Sequence, residues 1–96
     1  MTNNFNSDQY EIIHNEGSSQ WELRLRAEDS VIGYLTYEIY DNQIFFTRLS
    51  VKKEFEGQGL GTVLAKEAID YELELGENHV EPVCPFVQRV WEKYYA

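Results

Sequence analysis

Between residues 20 and 26 polar and apolar side chains alternate without a break. Trp21, Leu23 and Leu25 fall on one side, Glu22, Arg24 and Arg26 on the other. Period-2 spacing of this kind predicts a β-strand with one buried and one wetted face. Residues 10–14 read as a shorter strand, followed by the turn-rich run Asn15-Glu16-Gly17-Ser18-Ser19. After the turn Ala27-Glu28-Asp29-Ser30, residues 31–40 and 43–51 are rich in β-branched and aromatic side chains. Asp41-Asn42 separates them and suits a tight hairpin. Four strands joined this closely predict an antiparallel meander.

The period changes after Gly59. Leu60, Leu64, Ala68, Tyr71 and Leu75 recur in steps of three and four, which predicts an amphipathic helix over 59–75. Lys66, Glu67, Asp70, Glu72 and Glu74 are assigned to its wet side. Gly76 stands where a helix end favours a left-handed residue. Residues 79–84 read as a short fifth strand interrupted by Pro82, and Pro85 suits the first turn of a last helix over 86–95. The order ββββαβα predicts an α+β fold: a four-stranded antiparallel meander plus helix, a short fifth strand and a C-terminal helix. No linker-like stretch divides the chain, so one domain over 1–96 is expected, with the polar residues 1–9 flexible.

Composition narrows the function classes. With 96 residues, 43% hydrophobic and 15% aromatic, the chain is globular in character. Eight Lys and Arg against 17 Asp and Glu give a net charge of −9 with no basic block, which argues against a nucleic-acid partner. The single cysteine, Cys84, excludes an internal disulfide and a cysteine-based zinc site. His14 and His79 have no ligand pattern around them, so no metal is expected and both default to surface or strand-edge positions. No signal-peptide pattern and no apolar run near the ~18 residues of a membrane span are present, so a cytoplasmic protein away from membranes is expected.

The most informative segment is Val51-Lys52-Lys53-Glu54-Phe55-Glu56-Gly57-Gln58-Gly59-Leu60-Gly61-Thr62, which joins a strand to a helix. Glycines at alternate positions let backbone N–H groups converge, and a helix N-terminus behind them adds partial positive charge. The pattern suits a main-chain cradle for a pyrophosphate, although a glycine-rich turn without a ligand has the same appearance. It is not a Walker loop, since Gly61-Thr62 lacks the lysine. Nor is it a dinucleotide fingerprint, because hairpins rather than a βαβ crossover precede it.

Four strands, a Gly-x-Gly-x-Gly loop opening a helix, a short strand and a final helix resemble the GNAT-type N-acetyltransferases. More narrowly, Glu56-Gly57-Gln58-Gly59-Leu60-Gly61, followed after one helix by Pro82-Val83-Cys84-Pro85-Phe86-Val87, is similar to the small single-domain branch of that superfamily. The likeness spans about residues 27–95. It implies acetyl-CoA as co-substrate, a primary amine as acceptor and no metal. It also implies that Leu49, Ser50 and Val51 pair with the pantetheine amides. The main chain of Gly57, Gln58, Gly59, Leu60, Gly61 and Thr62 would hold the pyrophosphate. Glu56 stands where most of the superfamily has Arg or Gln, and like-charge repulsion predicts that its side chain turns away from the phosphates. Lys52, Lys53 and Lys66 are near enough in sequence to offset part of the local charge.

The same resemblance names two candidate catalytic groups. Cys84 is either an acyl-accepting nucleophile beside the thiol of CoA or a small core residue. Tyr94 and Tyr95 end the last helix; at most one can protonate the departing thiolate, and the alternative for both is packing. The small branch usually has a His-Thr pair shortly before Val51, and Arg48 and Leu49 occupy those positions here. A guanidinium cannot act as a base near neutral pH, so Arg48 either binds an anion or is an exposed strand residue. Three functions stay open at this point: an acetyl-CoA-dependent N-acetyltransferase acting on a peptide, protein lysine or polyamine, a CoA-binding protein with little transfer activity, and a protein-interaction domain. The sequence does not set the oligomeric state.

Overall fold

A computed structural model describes residues 9–96; the stretch 1–9 expected to be flexible lies, apart from Gln9, outside the described residues. The strands β1 (Tyr10–Asn15), β2 (Gln20–Leu25), β3 (Ser30–Tyr40) and β4 (Gln43–Val51) precede α1 (Leu60–Leu75), β5 (His79–Pro82) and α2 (Pro85–Tyr94). They form a five-stranded sheet in chain order, antiparallel through β4, with β5 added parallel to β4. The predicted meander, helix, fifth strand and closing helix are all present. Local chemistry explains the joints. Asp41 and Asn42 both take positive φ, 56° and 62°, which is the backbone of a two-residue hairpin. Pro85 opens α2, where its missing N–H costs nothing.

One hydrophobic core covers one face of the sheet. Leu23, Leu35, Ile44 and Phe46 from the strands meet Leu64, Ala68 and Ile69 of α1 and Val87 and Val90 of α2. The buried face of α1 differs from the predicted stripe. Tyr71 and Leu75 are exposed, whereas Glu72 is only 2% exposed and does not belong to a wet side. Buried positions follow the row 60, 64, 68, 72 with 65 and 69 beside it, a slanting ridge of step four rather than a line straight down the helix. His14 takes the strand-edge alternative rather than the surface one: it lies on the edge strand β1 opposite Trp21, and its ring turns to the helix side and stacks on the indole at 4.3 Å.

Two irregularities open the sheet on one side. The register of β3 and β4 shifts so that Tyr37 faces Phe46 and Thr36 faces Arg48, leaving Thr47 as an extra residue. A bulge of this kind bends its strand and increases twist. β5 pairs with β4 only as far as Phe46, whose carbonyl accepts from the amides of both Val83 (3.1 Å) and Cys84 (2.9 Å) before the chain enters α2. The strand predicted over 79–84 thus ends at Pro82. Beyond Phe46, β4 continues with β3 alone beside it, and β4 and β5 part. The opening faces the N-terminus of α1.

Candidate functional site

The segment between β4 and α1 is held by short-range backbone bonds. The Lys52 amide donates to Ile32 (2.8 Å), and a single 3₁₀ turn over Lys53–Phe55 reverses the chain. Because Lys52 turns its amide towards β3, strand alternation turns the polar groups of Leu49 and Val51 the other way, to the side β5 has vacated. Among the described residues neither makes a backbone bond outside the ladder. Gly57 and Gly59 come next along the chain, with φ of 83° and 80°, a region that side chains other than glycine rarely adopt. At both positions a Cβ would meet nothing within 4 Å, so the glycines leave open space.

α1 begins there without a cap. Gly59 is the N-cap and has no side chain to bond to the first turn. The Val63 amide reaches the Gly59 carbonyl at 3.1 Å, whereas the amides of Leu60, Gly61 and Thr62 precede the helical ladder. Three donors and the positive end of a 16-residue helix therefore converge on the opening. A groove of about 470 Å³ lies over them, lined by Leu49, Ser50, Val51, Phe55, Glu56, Gly57, Gly59, Leu60, Gly61, Thr62 and Phe86. Its chemistry is split. Main-chain donors at one end suit an anion, while Leu49, Phe55, Leu60 and Phe86 offer an apolar wall.

Of the sequence candidates for the cradle, all but Gln58 line the groove; the Gln58 side chain is turned to Tyr10, whose hydroxyl donates to it at 3.3 Å. Gly61 has a separate role. A Cβ on it would lie 3.0 Å from Cζ of Phe86 and 3.3 Å from Cδ2 of Leu49, so its smallness lets α1 close against β4 and α2. Gly61→Ala is expected to cost about 1–3 kcal/mol through overpacking. Equilibrium urea unfolding checks this, and a loss below about 0.5 kcal/mol contradicts it.

The candidate catalytic residues are placed unequally. Cys84 is the N-cap of α2, 6% exposed, part of the core and not in the groove lining. Tyr94 is 45% exposed and, like Cys84, is not in the groove lining; it borders a separate shallow depression that shares Thr62 and Phe86 with the groove, and Nζ of Lys66 lies 4.2 Å from its ring centre. Tyr95 points elsewhere: its hydroxyl donates to Asp70 at 2.6 Å, and burial together with that carboxylate pushes its pKa far up. Arg48 lies opposite Thr36, between buried Leu35 and Tyr37, so it stands exposed on the face away from the helices and does not line the groove.

Phe55 and Phe86 line the groove without having been singled out as ligand contacts. The signal for Phe55 is a lone aromatic amid Lys53, Glu54 and Glu56, which needs an apolar surface to rest on. Among the described residues no group of His, Cys, Asp and Glu is placed to hold a metal ion, and no helix is long and apolar enough to cross a membrane.

Comparison with solved structures finds the same fold. A GCN5-related N-acetyltransferase from Sphaerobacter thermophilus matches at a TM-score of 0.60 and 13% identity, over 66% of this chain and 20% of its own. A ribosomal-protein-alanine N-acetyltransferase from Brucella melitensis biovar Abortus 2308 matches at 0.57 and 16% identity, over 81% and 62%. A provisionally assigned streptothricin acetyltransferase from Bacillus anthracis str. Ames, solved in complex with acetyl coenzyme A, matches at 0.51 and 16%, over 78% and 38%. The chain thus spans from 20% to 62% of the length of these structures, and at such identities the likeness is one of fold. Among curated proteins none matches. The family model for GCN5-related N-acetyl-transferase, however, matches residues 20–95, and with most of the sequence so matched the chain belongs to the GCN5-related N-acetyltransferases.

Proposed function

We propose that the protein binds acetyl-CoA in the groove at the head of α1 and transfers the acetyl group to a primary amine. The observation that carries this is the coincidence of an uncapped helix start, positive-φ glycines opening into free space, and an unpaired strand edge along one cavity. These residues fit the coenzyme. The amides of Leu60, Gly61 and Thr62 would hold the diphosphate, and the open edge at Leu49 and Val51 would pair with the pantetheine amides. Phe55, Leu60 and Phe86 would cover its apolar parts. When bound, acetyl-CoA supplies an activated thioester carbonyl.

The chain's own contribution is binding, orientation and a proton. Tyr94 does not line the groove itself, but its depression shares Thr62 and Phe86 with it, and this phenol would serve as the acid for the departing thiolate. Tyr95 is committed to Asp70. The burial of Cys84 supports its packing role over that of a nucleophile. The net charge of −9 raises the encounter rate with cationic amines, which suits a peptide, a protein lysine or a polyamine as acceptor. The same reading takes residues 1–96 as one cytoplasmic domain.

Tyr94→Phe is expected to lower turnover about 100-fold with acetyl-CoA affinity unchanged, the usual scale for loss of a general acid. Cys84→Ala is expected to keep turnover within about twofold, since truncating a side chain outside the groove leaves the transition state untouched. Steady-state kinetics on an amine panel checks both. An unchanged Tyr94→Phe rate removes the proton donor, and a collapse on Cys84→Ala restores the nucleophile.

A second reading, coenzyme binding without efficient transfer, is favoured by one observation: Glu56 is the sole carboxylate of the groove lining, and it holds neither histidine nor lysine to deprotonate an amine. Calorimetric titration with acetyl-CoA separates both readings from an interaction domain. Binding at one equivalent followed by turnover of any amine establishes transfer, binding without turnover establishes the second reading, and no heat at millimolar coenzyme excludes both.

A further inference from the structure

At the opposite end of α1, ten residues or about 15 Å along the helix from Gly61, lies a second cavity of about 300 Å³. Three rings line it: His14, Tyr37 and Tyr71. They form a fixed cluster. His14 lies flat on Trp21, with ring planes 2° apart, and Tyr71 stands edge-on to both, 5.0 Å from His14 and 5.2 Å from Trp21. Nε2 of His14 is 2.7 Å from the Tyr37 hydroxyl. Burial lowers the pKa of His14 against the opposing pull of Glu16, whose carboxylate lies 3.8 Å from Nδ1.

The polar lining is of one sign. Glu16, Glu72 and Glu77 line the cavity, and no Lys or Arg does. Glu72 is the informative member. It is 2% exposed, and its Oε1 has no hydrogen-bond partner although it is buried. A buried carboxylate oxygen left unpaired keeps its desolvation penalty uncompensated, which a ligand that supplies a donor removes. Burial, reinforced by Glu77 and Glu16, raises the pKa of Glu72, while Asn78 opposes the shift. A cation entering the cavity would lower it again.

Aromatic faces combined with carboxylates are the environment that holds an alkylammonium ion: the rings attract its charge and enclose its methylenes, and the carboxylates accept its N–H bonds. We infer that the cavity between His14, Tyr37, Tyr71 and Glu72 is a binding site for a primary alkylammonium group, distinct from the groove at the head of α1. Its distance from Gly61 makes it a docking point for a basic ligand rather than the place where an amine reacts. Polyamines and lysine side chains both carry this chemistry.

The test uses the whole chain labelled with ¹⁵N, following the indole N–H resonance of Trp21, assigned with Trp21→Phe, while n-butylammonium chloride is added at pH 7. 1-Butanol serves as the neutral control. The site predicts a saturable shift with butylammonium and none with butanol. It also predicts affinity at least tenfold weaker in Glu72→Gln and in the rim variant Glu16→Gln/Glu77→Gln, whose exposed positions leave folding intact. A parallel titration with spermidine and with Nα-acetyl-lysine methylamide assigns the site by whichever saturates it at the lower concentration, and saturation by either supports the site. An absent or unsaturable shift, an equal response to butanol, or unchanged affinity in the rim variant overturns the inference. Since the readout involves no coenzyme, it is independent of whether the groove binds acetyl-CoA.

Discussion

Gly59→Val is expected to weaken acetyl-CoA binding by at least about 100-fold, a loss of roughly 2.7 kcal/mol. Two effects act together. The glycine sits at φ 80°, where an L-residue pays about 1–2 kcal/mol, and the branched side chain projects into the free space above the first amides of α1. Backbone strain and blocked approach are separable in this fold, because Gly76 at the other end of α1 has φ 71° and an equally open surround. Gly76→Val therefore carries a similar strain without touching the groove. Both variants should melt a few degrees lower, and only Gly59→Val should lose the coenzyme. Equal affinity in the two, measured by calorimetry, would remove the steric basis of the cradle.

Phe46→Ala is expected to be the most damaging core truncation, at about 3–5 kcal/mol. Phe46 is fully buried, and it packs edge-on to Tyr37 with ring centres 6.3 Å apart. It also sits at the point where the sheet divides: its carbonyl holds the amides of Val83 and Cys84, and the bulge at Thr47 comes directly after it. Against a total of about 5–15 kcal/mol for an ordinary domain, the loss is a large share of the stability. At roughly 4–8 °C per kcal/mol for a domain of this size, the melting temperature should fall by at least about 12 °C. A drop under about 4 °C would mean that the core relaxes into the space and that Phe46 does not anchor the division.

How much the sequence disclosed depended on whether a feature is local. Strand alternation, the Asp41-Asn42 hairpin, the Gly76 stop and the Pro85 start each rest on a few neighbouring residues, and the structure has them at those places. The glycine loop was legible for the same reason. The parting of β4 from β5 is not legible in this way, since it is a matter of long-range pairing that ends at Phe46, beside a register shift that leaves Thr47 as an extra residue. The burial of Glu72 escaped because a stripe drawn through Tyr71 and Leu75 runs straight, whereas the packed ridge slants. Nothing in the sequence around His14 decides between a surface and a strand-edge position; its cross-strand partner Trp21 turns it inward on the edge strand. The exposure of Tyr94 against the bond of Tyr95 to Asp70 likewise follows from the docking of α2 on α1, which neither tyrosine encodes alone.

The most direct test of the central claim is an amide NMR titration of the ¹⁵N-labelled protein with acetyl-CoA. The backbone signals of Gly57, Gly59, Leu60, Gly61 and Thr62 should move together and saturate at one equivalent, while Gly76 stays in place. Unmoved signals at these five positions under millimolar coenzyme, or a saturable response confined to other parts of the chain, would contradict it.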